Sequence, residues 1–306
     1  MSTRSVLRSE LALLGVVVIW GVNFVVMKVA LGRADPFLFN ATRFTISVAL
    51  LAALHCVDVR RGRSPLLPSR DLVRPVLLLG LTGHVVYQIG FVLGLDRTTA
   101  GTASLLIASS PIWTGFVAHL GGQERLGARS WAGLLVAFAG TATVAAASSG
   151  VSFGREAAVG NALCVAAAFG WGCYTAWSRP YLARASSTAM ALWTMVVSLP
   201  ALWGLATPAI VEGGFGDADR GFWLAALYAG GLGTGIAYVL WNVGIQGMGP
   251  ARTAASTCIV PVIAVAIGAT VLGEPVSGLQ AVGGAIVLGG LVMMGRAKAG
   301  DAAGRR

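Results

Sequence analysis

Residues 94–124, GLDRTTAGTASLLIASSPIWTGFVAHLGGQE, are matched 150 positions later by residues 244–274, GIQGMGPARTAASTCIVPVIAVAIGATVLGE. Gly94 falls on Gly244, Pro111 on Pro261 and Glu124 on Glu274. The register extends outward on both sides. Gly133 falls on Gly283 and Gly140 on Gly290, and at a shift of 151 Trp20-Gly21 falls on Trp171-Gly172. Both copies are overwhelmingly apolar. A duplicated hydrophobic unit of this size points to a membrane protein made of two structural repeats, a design that places its site where the repeats meet.

Composition agrees. The chain is 56% hydrophobic and 11% charged, against about 25% charged in soluble domains. Its charges fall in short clusters between apolar runs of about 20 residues, the length that crosses a ~30 Å hydrocarbon core. The lipid bilayer is therefore the first partner. A net charge of +10 could suit nucleic acid, but its distribution reads as membrane orientation, and no nucleic-acid partner is expected. Cys56, Cys164, Cys173 and Cys258 lie in or at the ends of apolar runs, with no metal-site or disulfide spacing. Neither a metal nor a cofactor is called for. The first apolar run continues to Leu31 through Asn23 and Lys28 without a clean cleavage site, so it is expected to stay as a helix.

The runs divide into ten spans, at 11–31, 36–56, 75–95, 101–120, 129–147, 158–178, 188–207, 222–243, 252–272 and 276–295. They must be helices, because an open strand would leave backbone groups unpaired in lipid, and they lack the alternation of a barrel. With the N-terminus inside, the inner segments hold 16 of the 22 Lys and Arg residues. The outer ones hold Arg33, Arg97, Arg155 and Arg220, while Lys28 and Arg43 lie within spans. That bias satisfies the positive-inside rule and places both termini in the cytoplasm of a cell, or inner, membrane. Five helices per copy make the second copy enter from the opposite side. The expected fold is an all-α membrane protein of ten transmembrane helices, arranged as two inverted five-helix repeats at 10–147 and 158–295.

Polar and aromatic residues cluster near the middle of the spans. Trp20 and Asn23 lie in span one, with His84, Tyr87 and Gln88 on one face of span three. Trp113 lies in span four, Trp171, Tyr174 and Trp177 in span six, and Tyr238, Trp241 and Asn242 in span eight. Polar groups in hydrocarbon normally face the bundle interior or a water-filled cavity, so these residues are candidates for a central substrate site. Several of the other tryptophans, Trp131, Trp203 and Trp223, suit the interfacial belts. Arg43 lies seven residues into span two, ~10 Å deep at 1.5 Å per residue, too deep for easy snorkelling. A cationic site there would favour a carboxylate or phosphate. For Lys28, and for Arg179 at its 151-shifted position, snorkelling and a site role stand level.

Pro111 and Pro261 sit mid-span in spans four and nine and should kink them, either as hinges at a central site or as packing devices. Gly90-xxx-Gly94 and Gly231-xxx-Gly235 have close-packing spacing. The glycines at 231–235 lack the preceding strand or following lysine of a nucleotide loop. Glu124 and Glu274 just past spans four and nine would brace the next turn. No Asp or Glu lies deep in a span. That leaves His84 as the near-neutral titrating group at membrane depth, and makes protons a candidate coupling partner, beside its readings as a neutral hydrogen-bonding residue and a substrate contact.

Taken together, Trp20-Gly21-x-Asn23 with Lys28, Pro36…Arg43, Gly94-Leu95-Asp96-Arg97-Thr98-Thr99-Ala100, and Pro111…Glu124-Arg125-Leu126 repeated as Pro261…Leu272-Gly273-Glu274 resemble an EamA-like ten-helix carrier of the drug/metabolite transporter superfamily. The resemblance spans about 10–147 and 158–295. It implies export of amino acids, metabolites or toxic compounds, with relatives that move sugars or nucleotide sugars. The position matching Arg43 in the second half is Thr194, which argues against a symmetric two-arginine site. The leading expectation is a secondary carrier that exports or exchanges a small-molecule substrate by alternating access, as a monomer or weak homodimer. A channel is the competing class. An intramembrane enzyme is disfavoured, because no nucleophile with a base, paired acids or metal cluster occurs at workable spacing.

Overall fold

The computed structural model describes residues 3–31, 35–98, 100–148, 157–216, 218–271 and 276–303. Arg33, Arg155, Leu272, Gly273 and Glu274 lie outside them, as does the Lys28 side chain. Among the described residues all regular structure is helical. The helices are α1 (Thr3–Leu31), α2 (Pro36–Arg60), α3 (Arg70–Gly80), α4 (Tyr87–Arg97), α5 (Ala100–Ile107), α6 (Ser110–Leu120) and α7 (Ala128–Ser148). They continue with α8 (Ala158–Leu182), α9 (Ser187–Glu212), α10 (Arg220–Leu227), α11 (Ala237–Met248), α12 (Pro250–Ser256), α13 (Val260–Val271) and α14 (Gly278–Ala303). Two π-helical turns, Leu81–Val86 and Tyr228–Ile236, join α3 to α4 and α10 to α11.

Among the described residues, eight segments are long and apolar enough to cross a bilayer, and Leu105–Leu120 is a shorter apolar one. Of the ten expected spans the fourth and the sixth are not among the eight, and the ninth is counted but irregular. The fourth expected span is interrupted at 108–109, and Pro111 stands at the start of α6 rather than inside a continuous helix. There its missing N–H costs nothing. The ninth passes through a tight turn at Thr257–Ile259 before α13, where Pro261 is the second residue. Both prolines therefore begin helices instead of kinking them. The helix Ala158–Leu182 is 25 residues long but interleaves its apolar residues with Asn161, Gly and aromatic groups.

The chain packs as two compact units, each drawing on both halves of the sequence. The first comprises Met1–Val85 and Ser178–Gly247. In it α2 runs against α9, the second π turn against α2, and α3 against α9. Capping starts both long helices. Asp35 accepts from the Leu38 N–H at 2.8 Å and Ser186 from the Ala189 N–H at 3.1 Å, and these caps are equivalent at the 151 shift. Phe39, Phe222, Ala226 and Ala229 form an apolar core. Close approach is achieved by glycine: a Cβ on Gly80 would lie 2.6 Å from the Thr194 carbonyl oxygen, and one on Gly230 2.5 Å from that of Arg43. The pair that packs in α10–α11 is thus Gly230 and Gly233, while Gly231 and Gly235 have more room.

The second unit comprises Val86–Trp177 and Met248–Arg306. Its central contact is α7 on α14. A Cβ on Gly133 would meet Gly290 O at 2.8 Å and one on Gly140 would meet Gly283 O at 2.7 Å, and the reverse contacts hold too. Because Gly133 opposes Gly290 and Gly140 opposes Gly283, the helices run antiparallel. Four of the repeat's landmark residues thus meet one another. Lipid tails are as apolar as leucine, so such packing and hydrogen bonding, rather than hydrophobic burial, hold membrane helices together. On α4, Gly90 and Gly94 face α8 across the Leu163 and Gly160 carbonyls, as their spacing predicts. Buried Glu124 accepts from the Ala251 N–H at 3.2 Å. It braces the start of α12 in the other sequence half.

Candidate functional site

In the first unit, an aromatic string is assembled from α1, α2, the first π turn and α11. Trp20 packs on Trp241 with ring centroids 5.2 Å apart and edge-on to Tyr238 at 6.2 Å. Tyr238 in turn lies 5.3 Å from His84, and His84 5.9 Å from Phe44. The i, i+3 spacing of Tyr238 and Trp241 puts both on one face of α11. Trp20 is fixed further: its indole N–H donates to the Gly233 carbonyl at 2.8 Å. A π turn displaces backbone carbonyls from their usual partners, and here two of them take side-chain donors. Gly233 O takes Trp20, and Gly230 O takes the Ser47 hydroxyl at 2.7 Å.

Arg43 is 9% exposed. Its Nε donates to Asn40 Oδ1 at 2.7 Å and its Nη1 to the Thr234 hydroxyl at 3.4 Å, with the guanidinium 5.4 Å from the Phe44 ring centre. This placement answers the depth argument, because the guanidinium is held inside the unit by polar partners. Asn23 Oδ1 is a buried acceptor without a hydrogen-bond donor among the described residues, and it lies beside Gly233. Asn242, expected beside a substrate, is fully buried and its amide donates to the Ser187 carbonyl at 3.2 Å, tying α11 to the start of α9.

A second cluster occupies the other unit. Tyr87 lies 5.5 Å from Trp171 and stacks on Phe91 at 6.3 Å, and Trp171 stacks on Tyr174 at 5.2 Å. Gln88 and Tyr174 are buried. Trp113 meets Phe169 edge-on at 5.6 Å, and its N–H donates to Ser109 Oγ at 3.1 Å, across the break between α5 and α6. Gly172 makes room for it, since a Cβ there would lie 2.8 Å from the Trp113 Cβ. Pro111 sits two residues from Trp113, whereas Pro261 joins neither cluster.

The sequence reading missed Asn40, Ser47, Thr194 and Thr234, which hydrogen-bond around the π turns. Small hydroxyl residues in apolar helices look like ordinary packing. The signal available was position: His84 falls on Thr234 at the 150 shift and Arg43 on Thr194 at 151. Among the described residues no three His, Cys, Asp or Glu side chains are placed to hold a metal, and the four cysteines are free thiols.

The described residues provide rigid aromatic faces, a buried cation and interrupted helices. The chain is 32% identical to a probable terminal-alkyne amino-acid exporter of Streptantibioticus cattleyicolor, over 96% of this chain and 97% of the relative. It is 30% identical to a probable amino-acid metabolite efflux pump of Salmonella typhimurium, over 92% of each. A solved crystal structure superposes with a TM-score of 0.76 at 22% identity, covering 96% of this chain and 98% of that one, and shares the fold. The profile of the EamA-like transporter family matches residues 7–146 and again 158–296. The chain is a multi-pass membrane protein with a transport rather than an enzymatic function, and it belongs to the EamA-like transporter family.

Proposed function

We propose that this transporter is a secondary carrier that exports or exchanges a small amino acid or amino-acid-like metabolite by alternating access, built as ten spans in two inverted repeats. The observation that carries it is the antiparallel meeting of repeat-equivalent glycines, Gly133 with Gly290 and Gly140 with Gly283. Two copies related by a two-fold axis in the membrane plane would pack in this way. The count of ten adds Leu105–Leu120 and the 25-residue Ala158–Leu182 to the eight long apolar segments. The amino-acid class is supported by the names of the two relatives. Trp20, Tyr87 and Trp171 are proposed substrate contacts, since their rings offer large rigid faces at low entropic cost.

Counterflow tests this. Purified protein in proteoliposomes, loaded with unlabelled L-phenylalanine, should accelerate entry of labelled L-phenylalanine. Alanine at Trp20, Tyr87 or Trp171 should suppress the exchange while the protein still reconstitutes. Flux indifferent to substrate on the far side would identify a channel. Normal exchange in all three variants would move the site elsewhere.

A further inference from the structure

The two π turns occupy the same place in the repeated sequence. Adding 150 to Leu81–Val86 gives 231–236, the last six residues of Tyr228–Ile236. Each turn carries a side-chain hydrogen bond to a residue of a neighbouring helix within the first unit, beside the Trp20 and Ser47 bonds that the second turn also receives on its Gly233 and Gly230 carbonyls. At the second turn, Arg43 of α2 donates to the Thr234 hydroxyl at 3.4 Å, and that hydroxyl donates to Ala229 O at 2.9 Å. At the first turn, His84 meets the Thr194 hydroxyl of α9 at 3.0 Å. Thr194 spends its own proton on Met190 O at 2.8 Å, so the imidazole is the donor.

These are one bond in two copies. Arg43 and Thr194 are equivalent at the 151 shift, His84 and Thr234 at 150, and donor and acceptor have exchanged sides. The glycines beneath them, Gly80 and Gly230, are also 150 apart, and each lets its turn press on the carbonyl of the equivalent residue, Thr194 or Arg43. A π turn holds one residue more than an α-helical turn and is frequent at functional sites.

We infer that the two π turns are matched joints of the transport cycle, and that Arg43 and His84 are positioning residues that hold them in register rather than ligands of the substrate. The inference rests on the carrier reading above. Because inverted copies face opposite sides of the membrane, freeing one joint favours opening to one side, and freeing the other favours the opposite side. Arginine at one joint and histidine at the other make the two unequal, so the carrier is biased toward one face.

The test uses the full chain with Thr194→Val and Thr234→Val, which remove one acceptor each and conserve shape. In lipid nanodiscs, hydrogen exchange over 228–236 should rise about fivefold in Thr234→Val and over 81–86 in Thr194→Val, the factor for one ordinary hydrogen bond, with the other turn unchanged. His84→Gln, which keeps a donor, should exchange as the wild type, whereas His84→Ala should behave as Thr194→Val. In vesicles of uniform orientation, the ratio of KM values for labelled L-phenylalanine from the two sides should shift in opposite directions in the two valine variants. Unchanged local exchange, or ratios shifting together, overturns the inference. If the wild type moves no amino acid, the carrier reading fails instead, and the exchange measurement still decides whether the joints exist.

Discussion

Gly140→Ala at the α7–α14 crossing is the sharpest test of the packing. The added Cβ would lie 2.5 Å from Val287 N, 2.7 Å from Gly283 O and 2.9 Å from Val287 Cγ2. Two of these three atoms are backbone, so no rotamer change relieves the clash. Reaching 3.4 Å, where ordinary contact begins, requires the helices to separate by roughly 0.9 Å, which also strips the reciprocal contact at Gly283. Overpacking of this kind costs about 1–3 kcal/mol, offset by up to ~1 kcal/mol of helix propensity gained when glycine becomes alanine. Gly289→Ala is the control, since nothing among the described residues lies within 4 Å of its new Cβ: it takes the propensity gain with no clash. Thermal unfolding in detergent, followed by loss of the monodisperse chromatographic peak, should rank Gly140→Ala below wild type and Gly289→Ala level with or above it. Equal stability of the two variants would refute the reasoning, because the crossing would then have slack that these distances deny.

Two further outcomes follow from the same geometry. Glu124→Ala removes the acceptor of the buried Ala251 N–H, the first N–H in α12 because residue 250 is proline, and should cost about 1–3 kcal/mol in the same assay; a variant as stable as wild type would show that the carboxylate does not brace α12. A cysteine replacing Arg63 in the 60–74 loop should resist an impermeant maleimide in intact cells and react after permeabilisation, and labelling in intact cells would reverse the proposed orientation.

What was legible in the sequence, and what was not, follows from how each feature is encoded. Helical structure and membrane residence could be read because apolar runs of spanning length have few alternatives in lipid. The role of Gly133, Gly140, Gly283 and Gly290 was half legible: their recurrence marked them, but nothing in a one-dimensional shift says that equivalent residues touch. The breaks at Pro111 and Pro261 were read as kinks, because a proline's position in an apolar run does not reveal whether the helix before it has already ended. The π turns were not legible at all. One extra residue in a turn leaves composition and hydropathy unchanged, and its support comes from side chains on other helices, Ser47, Trp20 and Arg43 at one turn and Thr194 at the other. The apparent asymmetry between Arg43 and Thr194 was the misleading clue. Compared position by position, the second copy lacks an arginine. Compared bond by bond, it keeps the contact, because His84 supplies the donor that Thr194 cannot. Duplicated membrane folds can therefore conserve an interaction while exchanging which partner carries it, and a search for matched residues alone passes over such a pair.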